Sequence, residues 1–220
     1  MASPTFSIVI PHYDRSVSDS ELARSLRCLS SQTFKDFEVL LFHDGPEQRP
    51  LPDPRDFSFP IAVRATETRA GDWGHSLREI GMKAARGKYI LNLNADNVLY
   101  PRALEVIHSA SRAPIEPAPM SEMIDNPDVL VFAIVMRGRC FNGRIGFWRD
   151  RKATHRGIIS TGIPPLADYI DCLQVVATRS VWERVGWWHD KSEASDGVIL
   201  PAMIEKFGAR YIPAVLGEHW

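Results

Sequence analysis

The sequence predicts an α/β protein whose mostly parallel sheet is flanked by helices. Three observations carry this. Phe6–Ile10 (FSIVI) and Phe37–Phe42 (FEVLLF) are continuous apolar runs, the pattern of strands buried on both faces. Between them, Leu22, Leu26 and Leu29 fall on one face of a helix. Each run then stops in a polar cluster, placed where an open α/β sheet presents its carboxyl ends to a ligand. A β-α-β alternation of this kind builds right-handed crossovers and parallel strand pairs.

The elements follow in order. Pro11 ends the first run, and His12, Tyr13, Asp14 and Arg15 come after it. Ser18 or Ser20 caps the next helix, with Asp19 and Glu21 favourable in or near its first turn. The second run ends in His43-Asp44-Gly45. Pro46–Pro60 holds five prolines and reads as a surface loop without a helix. Ile61–Ala65 is a short third strand, and Thr66–Gly74 is a turn-rich loop holding Arg69, Asp72 and Trp73. A helix follows with Leu77, Ile80, Gly81 and Ala84 inward. Gly87 punctuates the start of a buried strand, Tyr89-Ile90-Leu91-Asn92-Leu93, which Asn94-Ala95-Asp96-Asn97 stops. An acidic turn at a strand's carboxyl end can hold a hard cation, and the cation can hold a diphosphate. An ordinary Asn/Asp turn is the alternative. Pro101 suits the first turn of a helix carrying Leu104 and Ile107.

The character changes near Ser111. Arg112–Pro127 is rich in proline and polar residues, a candidate boundary between half-domains. Val129–Met136 is a strong strand. Arg137–Arg156 is rich in glycine and arginine and suggests a hairpin and a mobile loop. Asp171–Thr178 is a further strand, and Ser180–Val185 a short helix ended by Gly186, with Trp187 and Trp188 beyond it. Asp196–Phe207 is a helix in which Pro201 is tolerable only near the start. Arg210–Pro213 is a last strand before a short tail, Gly217-Glu218-His219-Trp220.

Bulk properties narrow the classes. The 220 residues are 45% hydrophobic and 24% charged, an ordinary globular composition. A net charge of −1 gives no electrostatic case for nucleic acid. Cys28, Cys140 and Cys172 are odd in number and lack a CxxC spacing, which disfavours a disulfide framework or zinc site. A reducing compartment is expected. No apolar run reaches the roughly 18 residues of a transmembrane helix, and the N-terminus lacks a basic leader region. The expectation is a cytoplasmic protein, compatible with peripheral membrane contact.

Four segments together resemble the inverting family 2 glycosyltransferases of the GT-A fold. FSIVIPHYDR is similar to that family's opening strand and its Pro-x-Tyr-Asn-Arg turn. FEVLLFHDGP is similar to the strand ending in Asp-Asp-Gly-Ser, with His43 in the first Asp place. WGHSLREIGMKAARGKYILNLNADN resembles the segment that ends in Asp-x-Asp-Asp. VGWWHDKSEASDGVILPAMIEKFG resembles the segment that carries Glu-Asp before a helix. The resemblance implies one continuous GT-A-like domain with a smaller acceptor-side subregion. Residues 1–111 would form the nucleotide-sugar-binding half, and 112–220 the acceptor-binding and catalytic half.

It also implies roles. Pro11, Tyr13, Asp14 and Arg15 would lie beside the base of a nucleotide sugar, UDP-linked by preference. Asp44 would accept from a uracil N–H, and Arg78 would frame the same pocket. Asn94, Ala95 and Asp96 would lie at the diphosphate. Asp96 and His219 would hold a divalent cation, Mn2+ or Mg2+. Asp196 would be the base for a glycan or lipid-linked glycan acceptor, with Asp190 as runner-up. Each has a plainer reading: Asp14 and Asp44 as turn formers, Arg78 on a solvated helix face, Asp196 as a helix cap, His219 in a loose tail. Trp187 and Trp188 would serve an acceptor sugar or the core. The basic run Arg149, Arg151, Lys152, His155 and Arg156 would close over the diphosphate, or be a solvated face. Two positions depart from the family pattern: Asn94 replaces its first Asp, and Ser195-Asp196 replaces its Glu-Asp. Fewer charged ligands hold a hard cation more weakly. Other readings left open are a non-catalytic nucleotide-sugar-binding module and a nucleotidyltransferase.

Overall fold

The computed structural model describes residues 3–113, 128–137, 157–167 and 169–220. Most of the proline-rich boundary and the whole basic run Arg149–Arg156 lie outside the described residues. The strands are Phe6–His12 (β1), Phe37–His43 (β2), Ile61–Ala65 (β3), Tyr89–Asn92 (β4), Val98–Leu99 (β5), Val129–Met136 (β6), Ile158–Ser160 (β7), Val175–Thr178 (β8) and Arg210–His219 (β9). The helices are Asp19–Ser30 (α1), His75–Ala84 (α2), Ala103–Arg112 (α3), Arg179–Val185 (α4) and Ser195–Phe207 (α5).

One sheet runs through both halves of the chain, in the order β3-β2-β1-β4-β8-β6-β9-β5, with β7 paired to β6. The first four strands are parallel. Beyond β4 the sheet is mixed: β8 runs antiparallel to β4 and β6, and β9 runs parallel to β6. The apolar runs explain the core. Phe6, Ile8, Ile10 and Leu41 pack on one face with Leu22, Leu26 and Leu29 of α1 and Leu104 and Ile107 of α3. Val9, Leu40, Phe42 and Ile90 pack on the other with Leu77 and Met82 of α2 and Ile199 and Met203 of α5. Ser18 caps α1 in a reciprocal box with Glu21, as its sequence suggests.

Several expectations need correction. β1 does not stop at Pro11 but pairs with β2 as far as His12. The carbonyls of Val9 and His12 bond toward β4 and β2 respectively. By strand alternation Pro11 therefore faces the β4 side, where β4 has already ended, and its missing N–H costs no ladder bond. The proline-rich loop contains a short 3-10 turn at Pro54–Asp56, capped by Asp53. On α2 the buried face is His75, Leu77, Arg78, Gly81 and Met82, whereas Ile80 is 44% exposed and Ala84 is also exposed. Asp171 is not in a strand. It caps a 3-10 turn, Cys172–Gln174, and β8 begins only at Val175. Pro201 lies inside α5. The helix continues through it without a bond to the Gly197 carbonyl. The C-terminal segment is no loose tail: β9 reaches His219, held by β6 and by β5.

Candidate active site

Because β1, β2 and β4 are parallel, their carboxyl ends open at one edge, and a cleft of about 770 Å³ lies there. Pro11, His12 and Tyr13 arrive from the end of β1, Asp44 from β2, and Asn94, Ala95 and Asp96 from β4. Arg78 comes from α2, Asp196 from the first turn of α5, and His219 from the end of β9. Asp171 and Cys172, from the turn before β8, complete the floor. Thus residues from nearly the whole length of the chain meet in one place.

The nominated nucleotide side is divided by its hydrogen bonds. Asp44 accepts from the backbone N–H groups of Ala70 (2.7 Å) and Gly71 (3.0 Å), which fixes its carboxylate at the cleft wall. A carboxylate offers about four lone-pair sites, so it can still accept from a ligand. The Arg69 guanidinium stacks 3.9 Å from the centre of the Tyr13 ring. Asp14 and Arg15 do not line the cleft. Asp14 is turned toward His43 Nε2 (3.5 Å) and Arg49 (3.4 Å), and Arg15 is exposed.

His12 and His43 meet through their Nδ1 atoms at 3.0 Å, both buried. One must donate and the other accept. Burial, followed by the neighbouring His43, pushes the His12 pKa down to about 4, so His12 is neutral. Among the described residues, His12, Asp14 and His43 form one trio whose potential ligand atoms all lie within 4.8 Å of one another. The sequence reading placed its cation elsewhere, at Asp96 and His219.

At that second place the chemistry is that of buried carboxylates beside an imidazole. Burial raises the Asp96 carboxyl above its ordinary value, opposed by His219. His219 Nε2 lies 3.6 Å from Asp171 Oδ2. Asp171 also accepts from the N–H of Leu173 at 2.8 Å, which holds its side chain in place. The Asp196 carboxyl is pushed up to about 6, first by burial and then by the charge of Asp171. Buried like charges of this kind gain from a cation, and mixed carboxylate and imidazole donors suit Mn2+. Asp171 was missed as a site residue because it opens an apolar run. The available signal was an acid followed three places later by Gln174, the capping pattern that it adopts.

Arg78 and its neighbours form the inner wall. Arg78 donates to the Trp73 carbonyl (3.0 Å), to His75 Nδ1 (3.1 Å) and to Asn94 Oδ1. His75 Nε2 lies 3.0 Å from Ser195 Oγ, which also accepts from Trp188 Nε1 at 2.9 Å. Burial, followed by Arg78, lowers the His75 pKa to about 4. Trp188 is fully buried, stacked on Trp182 at 5.8 Å, so it serves the core while bordering the cleft. Asp190, the second candidate for a base, does not line the cleft and accepts from Ser192 N–H at 2.7 Å.

Residues 7–112 match the sequence model of glycosyl transferase family 2. An uncharacterized glycosyltransferase of Haemophilus influenzae is 30% identical over 101 residues, covering 46% of this chain and 32% of that protein. Chondroitin synthase of Escherichia coli is 34% identical over 94 residues, covering 41% of this chain and 13% of that protein. The chain thus spans about a third or less of the length of these relatives. Among solved structures, S. aureus TarS in complex with UDP-GlcNAc superposes with a TM-score of 0.61 at 15% identity, over 98% of this chain and 58% of that one. The mannosyltransferase PcManGT from Pyrobaculum calidifontis, in complex with GDP-Man and Mn2+, gives 0.59 at 14% identity, over 99% and 57%. Among the described residues, no helix is long and apolar enough to cross a membrane. The strands that build the cleft thus resemble glycosyl transferase family 2 in sequence, and the GT-A fold is shared along almost the whole chain.

Proposed function

We propose that this chain transfers a sugar, with inversion, from a nucleoside diphosphate donor to a hydroxyl of a saccharide or lipid-linked glycan. The observation that carries the reading is the convergence of Asp96, Asp171, Asp196 and His219 on one cleft at the ends of β1, β2 and β4. UDP is favoured over other nucleotides because TarS, of the same fold, is seen with UDP-GlcNAc, and because Asp44 is a fixed acceptor lining the same cleft as Tyr13.

Asp196 accepts the proton of the attacking hydroxyl as the new C–O bond forms at the anomeric carbon. The bond to the diphosphate breaks, and its electron pair leaves with the diphosphate. A base needs a pKa near the working pH, and burial beside Asp171 moves Asp196 that way. Asp96 and His219, with Asp171 behind them, would hold a divalent cation, Mn2+ by preference over Mg2+. When bound, such an ion supplies Lewis-acid stabilisation of the leaving group. Arg24 donates to the Asp96 carbonyl at 2.7 Å, and the Asn97 N–H donates to the Asn94 carbonyl at 2.9 Å, so the turn that presents Asp96 is held from both sides.

The test is release of UDP from a panel of UDP-sugars with Mn2+, in the presence and absence of candidate acceptors. Asp196→Asn is expected to lower turnover by about a hundredfold or more, the scale of a lost general base, while UDP affinity stays within about twofold. Turnover retained in that variant removes Asp196 as the base. No transfer or hydrolysis with any donor, together with intact UDP binding, would instead identify a nucleotide-sugar-binding module.

A further inference from the structure

Arg78 is 4% exposed, yet among the described residues no carboxylate lies within 4.0 Å of its guanidinium. Even Arg86, which is exposed, is paired with buried Glu38 at 2.6 Å, and half-buried Arg137 is paired with Glu218 at 2.6 Å. The partners of Arg78 are all neutral: the Trp73 carbonyl, His75 Nδ1, Asn94 Oδ1 and, weakly, Cys172 Sγ at 3.8 Å. Its Nε is buried without a partner. The face of Trp188 lies 5.2 Å away. Asp196 is close enough for its carboxyl to feel the guanidinium but makes no ion pair with it. A buried cation without an anion costs several kcal/mol.

The two departures from the family pattern meet at this group. Asn94 touches Arg78 directly. Ser195 touches it through His75, because arginine can only donate, so His75 Nδ1 accepts and its Nε2–H is turned to Ser195 Oγ. An acid in place of Asn94 would neutralise the guanidinium directly, and one in place of Ser195 would put a negative charge one side chain away from it. We propose that Arg78 is a fixed anion holder for the diphosphate of the donor, kept unpaired for that purpose by the neutral side chains of Asn94 and Ser195. The inference rests on the nucleotide reading above and deepens it: charge missing from the acidic turn is supplied from α2, and nucleoside diphosphate binding depends less on a cation.

Calorimetric titration of the full chain with UDP, GDP and uridine, each in EDTA and in Mn2+, tests this. Wild type is expected to bind UDP or GDP in EDTA and to bind uridine at least about tenfold more weakly, a difference of about 1.4 kcal/mol. Asn94→Asp, which adds a carboxylate to an existing contact, is expected to lose about tenfold in EDTA and to regain affinity with Mn2+. Arg78→Met should lose as much in both conditions, with circular dichroism reporting its fold. If Arg78→Met fails to fold, Asn94→Asp alone decides. Unchanged affinity of Asn94→Asp in EDTA overturns the inference. Wild-type binding that requires Mn2+ also overturns it and leaves the nucleotide reading standing. No binding of UDP or GDP in either condition overturns both.

Discussion

Asp196 and Asp171 are two carboxyl groups whose burial couples their charges, and the base role depends on that coupling. With its pKa raised to about 6, Asp196 is protonated below that value and cannot accept a proton. The acid limb of kcat/KM is therefore expected near pH 6, rising with pH. Asp171→Asn removes the second cause of the shift, so the limb should move to lower pH while burial still keeps it above the ordinary carboxyl value. A pH–rate profile of both forms checks this, and a limb that stays in place excludes Asp171 as a cause. Asp171 and Asp14 also mark what single residues reveal in a sequence. Asp14 is the residue type that a base pocket uses, but nothing in its neighbours says that the turn aims it at His43 and Arg49 instead. Asp171 sits before an apolar run, and only the fold brings it to His219.

Among the elements, those with a continuous apolar run were legible: β1, β2, β3, β4 and β6 sit within about two residues of their expected positions. Those whose burial comes from pairing were not. The polar end of β9 reads as a tail because Gly217, Glu218 and His219 gain their order from β5 and β6, far away in sequence. On α2 the periodic apolar residues suggest that Ile80 is inward, but the buried face is turned toward Arg78 and His75, which line the cleft, and Ile80 is left exposed. Gly87 shows how tightly pairing is set. Its N–H donates to Ser7 Oγ at 2.8 Å, and that hydroxyl donates on to Glu38 at 2.7 Å. A Cβ at Gly87 would stand 2.5 Å from the Ser7 nitrogen and 2.6 Å from the Phe6 carbonyl carbon, both rigid backbone. Gly87→Ala is expected to destabilise by about 1–3 kcal/mol, the cost of overpacking, because β4 must move off β1 to accept it. Urea denaturation reads this as a lower midpoint. An unchanged midpoint would mean that the β1–β4 contact is softer than its geometry implies.

Across the whole molecule, the sheet joins the two halves and buries ionisable groups on both sides of the cleft, so stability depends on pH. His12 and His75 are 3% and 6% exposed, and burial lowers each pKa from 6.5 to about 4. Between pH 4 and 6.5 the unfolded chain therefore binds protons at these positions that the folded chain does not. Stability rises with pH through that window, and each histidine is worth at most about 3 kcal/mol. Asp96 and Asp196 act in the opposite sense. Their raised values mean that the folded state holds protons longer, so their contribution falls as pH rises above the ordinary carboxyl range, for Asp196 toward 6. Below that range the lowered carboxyls of Glu38 and Glu218, paired with Arg86 and Arg137, lose their stabilisation as they are protonated. With two deeply shifted histidines against one carboxyl shifted as far, the balance favours higher pH. The urea midpoint is expected to climb from pH 4.5 to pH 7.5. His12→Gln keeps a neutral hydrogen-bonding side chain but cannot titrate, so it should flatten the climb by roughly half of the histidine share. A midpoint level across the window, or a climb that His12→Gln leaves as steep, would show that His12 is open to protonation in the folded state.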